Sequence, residues 1–472
     1  MGQLLSSLHR FEFDGEALAY RSEATIRDCQ PVASYNWLGK SEATVAIPGK
    51  PPRWTPPAQP HQLKLDSDEY FRDPNAANFP KHPMEPAVVA ALTMDPTIAP
   101  TIDLVACSST IGNLLRFVKA TDKKFRILVE SVGNTVFLIR RENTPRELIP
   151  DVKGYGHSFP EAYTSWDAEV KGSTSHQRVL SYRFGGLRCL VRFETDGYVF
   201  DKDNGGPEHS RSANSPTNIG ISGAVDELTA ALTGNLVAPV VSTANSDELQ
   251  IVRVGEIVKQ ESLFELKTRS VKCKQGDHPQ DTLGEQLPRL WVAQLSKFIL
   301  AYHSRGMFEK EITIKDVRNE VKAWEKDNVD DLSRLAALLH RIMAIVRARP
   351  DGKLELRHDA VGVLEIREQT TDVDGALSER VQKLWLKDED EDAQSASADQ
   401  KTDNLGPSVK PEGTERTKPE SGPDWHDWHD EISWDVQDFD SDMEIGWNDN
   451  ESVPDFTACS AEDCGYCGKC MY

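Results

Sequence analysis

The negative charge of this chain is concentrated at its C-terminal end. Residues 388–472 carry a net charge of −19 out of −22 for the whole chain, from 24 Asp and Glu against 5 Lys and Arg. Such acidic segments cannot bury enough apolar surface to offset the entropy of ordering. We therefore expect a folded body that ends near residue 387. Residues 388–458 are predicted to be a long disordered acidic tail, and residues 459–472 a Cys-rich terminus.

The body that remains is close to neutral, which keeps nucleic acid among its candidate ligands. Residues 1–387 carry a net charge of only −3, and a local basic patch or a metal ion can still attract a polyanion. The sequence holds no window of 18 apolar residues, so no transmembrane segment is expected. Gly2 stands in a minimal N-myristoylation pattern, which in so short a form also arises by chance.

Alternating strands joined by glycine turns predict the fold. Residues 125–141 form a predicted hairpin around Gly133-Asn134, and residues 178–200 form a second around Gly185-Gly186. Strand patterns precede helical ones, with one strand–helix–strand crossover near residues 263–303. The further predictions are strands at 249–258 and 263–269, helices at 287–295, 314–327 and 329–347, and a closing hairpin at 354–368.

These patterns predict an α/β, or mixed α+β, fold with a central mixed β-sheet flanked by helices. Residues 101–387 are expected to form the main domain, with a Ser-, Asn- and Gly-rich surface insertion at 201–248. Residues 1–100, which include a Pro-rich stretch, are expected to form a partly extended N-terminal arm that packs on this core.

Two short strand patterns carry residues that could do chemistry. Because residues i and i+2 share a face of a strand, Glu194 and Asp196 should point the same way, and so should Glu265 and Lys267. Hard cations such as Mg²⁺ prefer carboxylate and carbonyl oxygens, and a nearby lysine can stabilise developing negative charge. The plainer alternative is that both patterns are solvated strand faces. Gln294 is a further polar residue on an otherwise apolar helical face.

The order of these motifs resembles the decapping exoribonuclease family. That family removes faulty or nicotinamide-type caps, degrades RNA from its 5′ end, and has a fold distantly similar to nucleases of the P-D…(D/E)-x-K type. The resemblance covers roughly residues 100–310 and implies a nuclease-like fold, a Mg²⁺ or Mn²⁺ cofactor and RNA 5′ ends as substrate. It implies metal ligation by Glu161, Asp196, Glu265 and the Leu266 carbonyl, a second metal or metal-bound water at Glu194, and water or phosphate contacts from Lys267 and Gln294.

One departure from the family divides two functional hypotheses. The family supplies an Arg to its site where this chain has Ser108, and Arg116 lies two helical turns away. A lost Arg removes a phosphate clamp. The first hypothesis is a metal-dependent hydrolase of RNA 5′ ends, and the second is a catalytically weak or inactive RNA-end-binding or scaffold protein on the same fold.

The tail and the cysteines suggest two further ligands. Five aromatic residues among the tail's acidic ones suit a basic groove on a protein partner, although the tail could simply aid solubility. Cysteines elsewhere are scattered, which indicates a reducing nuclear or cytoplasmic location. At the end of the chain, a closely spaced set is a possible Zn²⁺ site, namely Cys459, Cys464, Cys467 and Cys470.

Overall fold

The computed structural model describes residues 2–386 except 122, 151, 201–247, 275–280 and 372. The predicted insertion at 201–248 lies outside the described residues except for its last residue. The acidic tail and the four C-terminal cysteines also lie outside them. Among the residues that the structure does describe, no helix is long and apolar enough to cross a membrane.

Most strands of the described chain belong to one mixed sheet of eleven. Its centre consists of the two predicted hairpins, each antiparallel, and a strand at residues 104–107 that pairs in parallel with one strand of each hairpin. In spatial order the sheet runs β1 (Leu4–His9), β18 (Val363–Arg367), β17 (Lys353–Ala360), β6 (Phe125–Val132), β7 (Thr135–Arg140), β5 (Leu104–Cys107), β10 (Leu187–Glu194), β9 (Ser173–Phe184), β2 (Arg27–Leu38), β3 (Thr44–Gly49) and β12 (Gln250–Gly255).

A second, smaller sheet carries the Glu-x-Lys strand. This strand, β13 (Leu263–Ser270), pairs in parallel with β14 (Lys297–Ser304) from Phe264 onward. It pairs with β11 (Gly197–Tyr198) over only two residues, so much of its other edge is open to side chains. The order is β15 (Met307–Phe308), β14 (Lys297–Ser304), β13 (Leu263–Ser270), β11 (Gly197–Tyr198), β4 (Arg53–Trp54) and β8 (Thr164–Ser165), with β16 (Ile314–Asp316) added beside β14.

Helices cover both faces of the larger sheet. The helices are α1 (Phe13–Tyr20), α2 (Pro74–Asn78), α3 (Glu85–Met94), α4 (Ser108–Val118), α5 (Ser158–Tyr163), α6 (Thr282–Ala293), α7 (Arg318–Asp327), α8 (Val329–Ala348) and α9 (Glu379–Trp385). One face of the sheet packs mainly on α1, α4, α6 and α8, and the other on α3 and α9, in each case through buried apolar side chains.

The predicted mixed α/β class, with helices flanking a mixed sheet, is confirmed. Three predicted hairpins are present as β6–β7, β9–β10 and β17–β18, and α6 is the crossover between the parallel strands β13 and β14. The helix predicted from residue 314 begins at Arg318, because residues 314–316 pair with β14 instead.

The first hundred residues do more than pack on the core. Strand β1 pairs with β18, β2 pairs with β9 through many residues, and β3 links β2 to β12. Helix α3 is buried along nearly its whole length. Apolar side chains of β2, such as Tyr35 and Trp37, lie fully inside the molecule.

Candidate functional site

The candidate site lies where the chain passes from the larger sheet to the smaller one. Strand β10 ends at Glu194, and β11 begins three residues later. Thr195 Oγ1 donates to the carbonyl oxygen of Phe264 at 3.2 Å, and the backbone N–H of Leu266 donates to Asp196 Oδ2 at 2.6 Å. Thr195 and Asp196 are thereby tied to the open edge of β13.

Gly197 allows this crossing because no side chain fits there. Its φ is 157°, and a Cβ at this position would lie 2.6 Å from the carbonyl oxygen of Pro52 and 2.7 Å from the ring of Phe264. The close approach draws β11 between β4 and β13 and fixes the position of Asp196 beside β13.

Strand alternation brings Glu265 and Lys267 together, as predicted. Lys267 Nζ lies 3.0 Å from Glu265 Oε1, and both side chains are almost completely buried. The other oxygen, Oε2, lies 3.0 Å from Nε of Arg289, which is also buried and comes from α6. One carboxylate is therefore held between two cations from different elements.

The two carboxylates of this cluster, Asp196 and Glu265, have pKa values shifted in opposite directions. Burial and the neighbouring Glu265 charge raise the pKa of Asp196 to about 7, against the opposing effects of Lys267 and Arg289. Burial also opposes ionisation of Glu265, but Arg289 and Lys267 outweigh it and hold the pKa of Glu265 below its usual value. Glu265 is thus the charged member, and Asp196 is easily protonated near neutral pH.

Glu194 faces an adjoining small cavity rich in arginine. Burial raises the pKa of Glu194, which accepts a hydrogen bond from Gln177 Nε2 at 3.3 Å. The cavity has a volume of about 40 Å³. Its charged lining consists of two carboxylates, Asp73 and Glu194, and four guanidinium groups, those of Arg72, Arg140, Arg192 and Arg289. We call it the arginine cavity.

Ser108 also lines the arginine cavity, at the first residue of α4. The position that lacks the Arg expected from the decapping family is therefore surrounded by other arginines. Arg116 lies further along α4, where it is buried and donates to Asn113 Oδ1 at 2.6 Å. Positive charge at this site comes from β7, β10, α6 and Arg72, which lies two residues before α2, rather than from α4.

Glu161 lies on the short helix α5 and is exposed. Partial desolvation of its carboxylate by the neighbouring protein, together with the negative charges of Asp66 and Asp68, raises the pKa of Glu161. Asp66 accepts the backbone N–H groups of His157 and Ser158 at 2.9 and 2.8 Å and so caps this helix. Glu161 therefore interacts with other carboxylates, those of Asp66 and Asp68, and its role as a metal ligand stays a prediction.

Gln294 ends α6 in a left-handed conformation, with φ of 49°. Its side-chain amide donates to the carbonyl oxygen of Trp291 at 2.6 Å, which satisfies an acceptor of the last helical turn. Its own carbonyl oxygen accepts from Gln260 at 3.2 Å. The structure therefore gives Gln294 a capping role, while a contact with phosphate stays a prediction.

The arrangement of carboxylates does not match a divalent-cation site. Across the described residues, there is no group of three or more His, Cys, Asp or Glu side chains positioned to hold a metal ion. Both oxygens of Glu265 face cations, and Asp196 accepts a backbone N–H. That N–H belongs to Leu266, whose carbonyl was the expected fourth ligand. Cys459, Cys464, Cys467 and Cys470 lie outside the described part of the chain.

Comparison with known families identifies the domain. A family model described as a domain of unknown function, DUF8563, matches residues 22–361. The chain belongs to this family. A search of curated proteins found no match.

Three of the solved structures similar to this DUF8563 chain are two Rai1 proteins and one Dxo1 protein. Rai1 of Scheffersomyces stipitis, in complex with (3′-NADP)⁺ and calcium, is 12% identical with a TM-score of 0.47, covering 82% of this chain and 97% of that one. Rai1 of S. pombe, in complex with 3′-FADP, is 11% identical with a TM-score of 0.44, covering 73% and 95%. Dxo1 of K. lactis, in complex with manganese, is 10% identical with a TM-score of 0.39, covering 74% and 92%.

Rai1 and Dxo1 are decapping exonucleases, so the structural search returns the family that the sequence motifs resemble. Likenesses this distant do not carry the ligands or activities of those proteins over to this chain. The functional case depends on the residues of the DUF8563 domain itself.

Sequence reasoning missed the arginines that define this site. Arg289 precedes Leu290 and Trp291 on a helix that the sequence identifies only by its apolar positions, so the pattern assigns Arg289 no role. Arg72, Arg140 and Arg192 stand in three separate segments. A possible signal for Arg192 was its place two residues before Glu194, on the same strand face and between the apolar residues Val191 and Phe193. Arg72 and Arg140 carry no comparable pattern.

Proposed function

We propose that this DUF8563 chain binds the 5′ end of RNA and holds the terminal phosphate in the arginine cavity. The observation that carries this proposal is the lining of four arginines against two carboxylates, next to the position where Ser108 replaces an expected Arg. The lining places guanidinium groups from four different segments around one small space, as a phosphate site requires. This is the binding function that the sequence left as an alternative to catalysis.

The chemistry of the cavity suits phosphate. Guanidinium groups bind phosphate oxygens through paired N–H donors and stay charged at all physiological pH values. Arg72 Nε lies 3.3 Å from Glu147, and Arg140 Nε lies 2.5 Å from Glu142. With Arg289 on Glu265, three of the four guanidinium groups are oriented by carboxylates. Such support reduces the conformational entropy that ligand binding would otherwise cost.

The cavity is small enough to select a phosphate group over a larger part of a nucleotide. A volume of about 40 Å³ has room for roughly three waters at ~10–15 Å³ each, which suits one phosphate group but not a base or a sugar. Four cysteines of the described body are free thiols, which suits a nuclear or cytoplasmic protein.

Hydrolysis of RNA 5′ ends, as in decapping or 5′–3′ exoribonucleases, is the second candidate function. It is favoured by the convergence of Asp196, Glu265 and Lys267 at the edge of β13. Lys267 could donate to a developing oxyanion, and Asp196 could exchange a proton near neutral pH. Catalysis would require Glu265 to act while paired with two cations, which is why binding is the leading proposal.

One experiment separates the two candidates. Fluorescence anisotropy would measure affinity for one short RNA with a 5′-monophosphate, 5′-hydroxyl, 5′-triphosphate, standard cap or nicotinamide cap, in EDTA. We expect the phosphorylated ends to bind at least about tenfold more tightly than the 5′-hydroxyl form. Equal affinity for all ends would refute phosphate recognition. The same RNAs with Mg²⁺ or Mn²⁺, resolved on a gel, test for hydrolysis.

Matched variants connect the binding to the cavity. Arg72→Gln removes a partly exposed guanidinium from the lining and should abolish most of the preference for 5′-phosphate. Arg188→Gln is the control, since Arg188 lies on β10 like Arg192 but lines a different pocket near Gln30 and Asp95. If both variants weaken binding equally, the effect is general electrostatics and the cavity is not the site.

A further inference from the structure

Glu265 is paired twice inside the protein. Its Oε1 lies 3.0 Å from Lys267 Nζ, its Oε2 lies 3.0 Å from Arg289 Nε, and the carboxylate itself has no exposed surface. Lys267 comes from the same strand, whereas Arg289 comes from the crossover helix α6 that follows it. Both oxygens of a buried acid are thus occupied by fixed positive charges.

The charges around this carboxylate already balance. With both carboxylates ionised, Asp196 and Glu265 contribute two negative charges, and Lys267 and Arg289 contribute two positive ones. Adding a divalent cation would leave two uncompensated positive charges in a buried site, where the low effective dielectric makes that costly. The group does not need a metal ion to be neutral.

Coordination geometry leads to the same result. Mg²⁺ binds oxygens at about 2.1 Å with near-octahedral ligands and keeps several waters. A cation on either oxygen of Glu265 would meet a nitrogen only 3.0 Å from that oxygen. Asp196 Oδ2 is engaged by the N–H of Leu266 at 2.6 Å. A metal ion and the protein cations would therefore crowd around the same carboxylate oxygens and repel one another.

We infer that Arg289 takes the place of a divalent cation at Glu265, as a built-in counter-ion that keeps metal out of this site. Arg289 also lines the arginine cavity, next to Ser108 and Glu194. The same guanidinium therefore links the Glu265 pair to the proposed phosphate pocket. Phosphate in the arginine cavity would be contacted by guanidinium groups, with no metal ion required at Glu265.

Manganese binding tests this inference directly, without RNA. The readout is the Mn²⁺ electron paramagnetic resonance signal during titration of the full-length protein. We expect the wild type to have no Mn²⁺ site that depends on Asp196, so Asp196→Asn should not change its titration. Arg289→Met leaves Glu265 with Lys267 alone and should gain one Mn²⁺ site, at least about tenfold tighter than background.

Matched variants isolate the site from the rest of the chain. Every variant keeps the acidic C-terminal segment and its cysteines, so differences between variants cancel that background. The site gained in Arg289→Met should disappear in the double variant with Asp196→Asn. Arg269→Met is the control, because Arg269 is also buried on β13 and pairs with Glu285 at 3.6 Å. It should gain no Mn²⁺ site.

Two results would overturn the inference. One is a wild-type Mn²⁺ site that Asp196→Asn removes. The other is a folded Arg289→Met protein, checked by circular dichroism, that gains no site. If Arg289→Met does not fold, the comparison of wild type with Asp196→Asn decides alone, and identical titrations support the inference. RNA binding in EDTA can fail independently of these outcomes, so this test and that of the proposed function remain distinguishable.

Discussion

Arg289 Nε lies 3.0 Å from Oε2 of Glu265, and the pair joins a strand to the helix that follows it. Two neighbouring carboxylates, Asp196 and Glu265, would repel each other on their own, but Glu265 stands between two cations. Removing it would leave buried positive charges without a partner.

We therefore predict that Glu265→Ala lowers the free energy of unfolding by about 3–5 kcal/mol, the usual cost of breaking a buried ion pair. Chemical denaturation in EDTA measures this change. Glu285→Ala is the control, since Glu285 pairs with Arg269 at 3.6 Å and is partly exposed, and it should cost much less. A Glu265→Ala protein as stable as the wild type would show that the pairing is not formed in solution.

Ser108→Arg should impair the protein, although the family resemblance suggests that it would restore a lost phosphate clamp. Ser108 is buried on the wall of a small cavity that four guanidinium groups already line. A fifth would add bulk and like charge, and overpacking typically costs about 1–3 kcal/mol. Thermal melting and affinity for 5′-phosphorylated RNA should both fall. Ser108→Ala should leave both nearly unchanged, and a tighter-binding Ser108→Arg protein would contradict this prediction.

Gln294→Gly should change little. The backbone at Gln294 is left-handed, which glycine adopts without strain, while the substitution loses the hydrogen bond to Trp291. We expect these effects to cancel within about 1 kcal/mol, measured by chemical denaturation. RNA affinity should also be unchanged. A selective loss of affinity, with stability retained, would restore the sequence-based assignment of Gln294 to phosphate contact.

His303 should make stability depend on pH. Burial lowers the pKa of His303 to about 4, from an ordinary value of 6.5. Below pH 6.5 the unfolded chain binds this proton and the folded chain does not, so stability falls between about pH 6.5 and 4. His303→Asn can still accept from the N–H of Gly306.

As the pH is lowered, the wild type should therefore lose more unfolding free energy than His303→Asn, which lacks the buried imidazole. We expect a shift of roughly 1–2 kcal/mol, reduced by solvent screening from the value that the full pKa change implies. Urea denaturation at pH 7.5, 6 and 5 measures it. A constant difference across these pH values would mean that His303 is not desolvated.

The hairpins and the shared face of Glu265 and Lys267 could be predicted from the sequence. Both depend on local rules, namely glycine turns between alternating strands and the two-residue period of a strand. The crossover between β13 and β14 followed from the order of patterns along the chain. Neighbouring residues determine these features, so no knowledge of distant contacts was needed.

Tertiary structure alone decided what surrounds those residues. Arg289 meets Glu265 only because α6 packs beside β13, and Arg72, Arg140 and Arg192 meet at Ser108 only because three chain segments converge. The family resemblance implied that Glu265 is a metal ligand, and a carboxylate pattern in the sequence does not show which cations will lie beside it. The charge of a side chain is local information, but its neutralisation depends on long-range packing, and that packing decides between metal binding and direct recognition of phosphate.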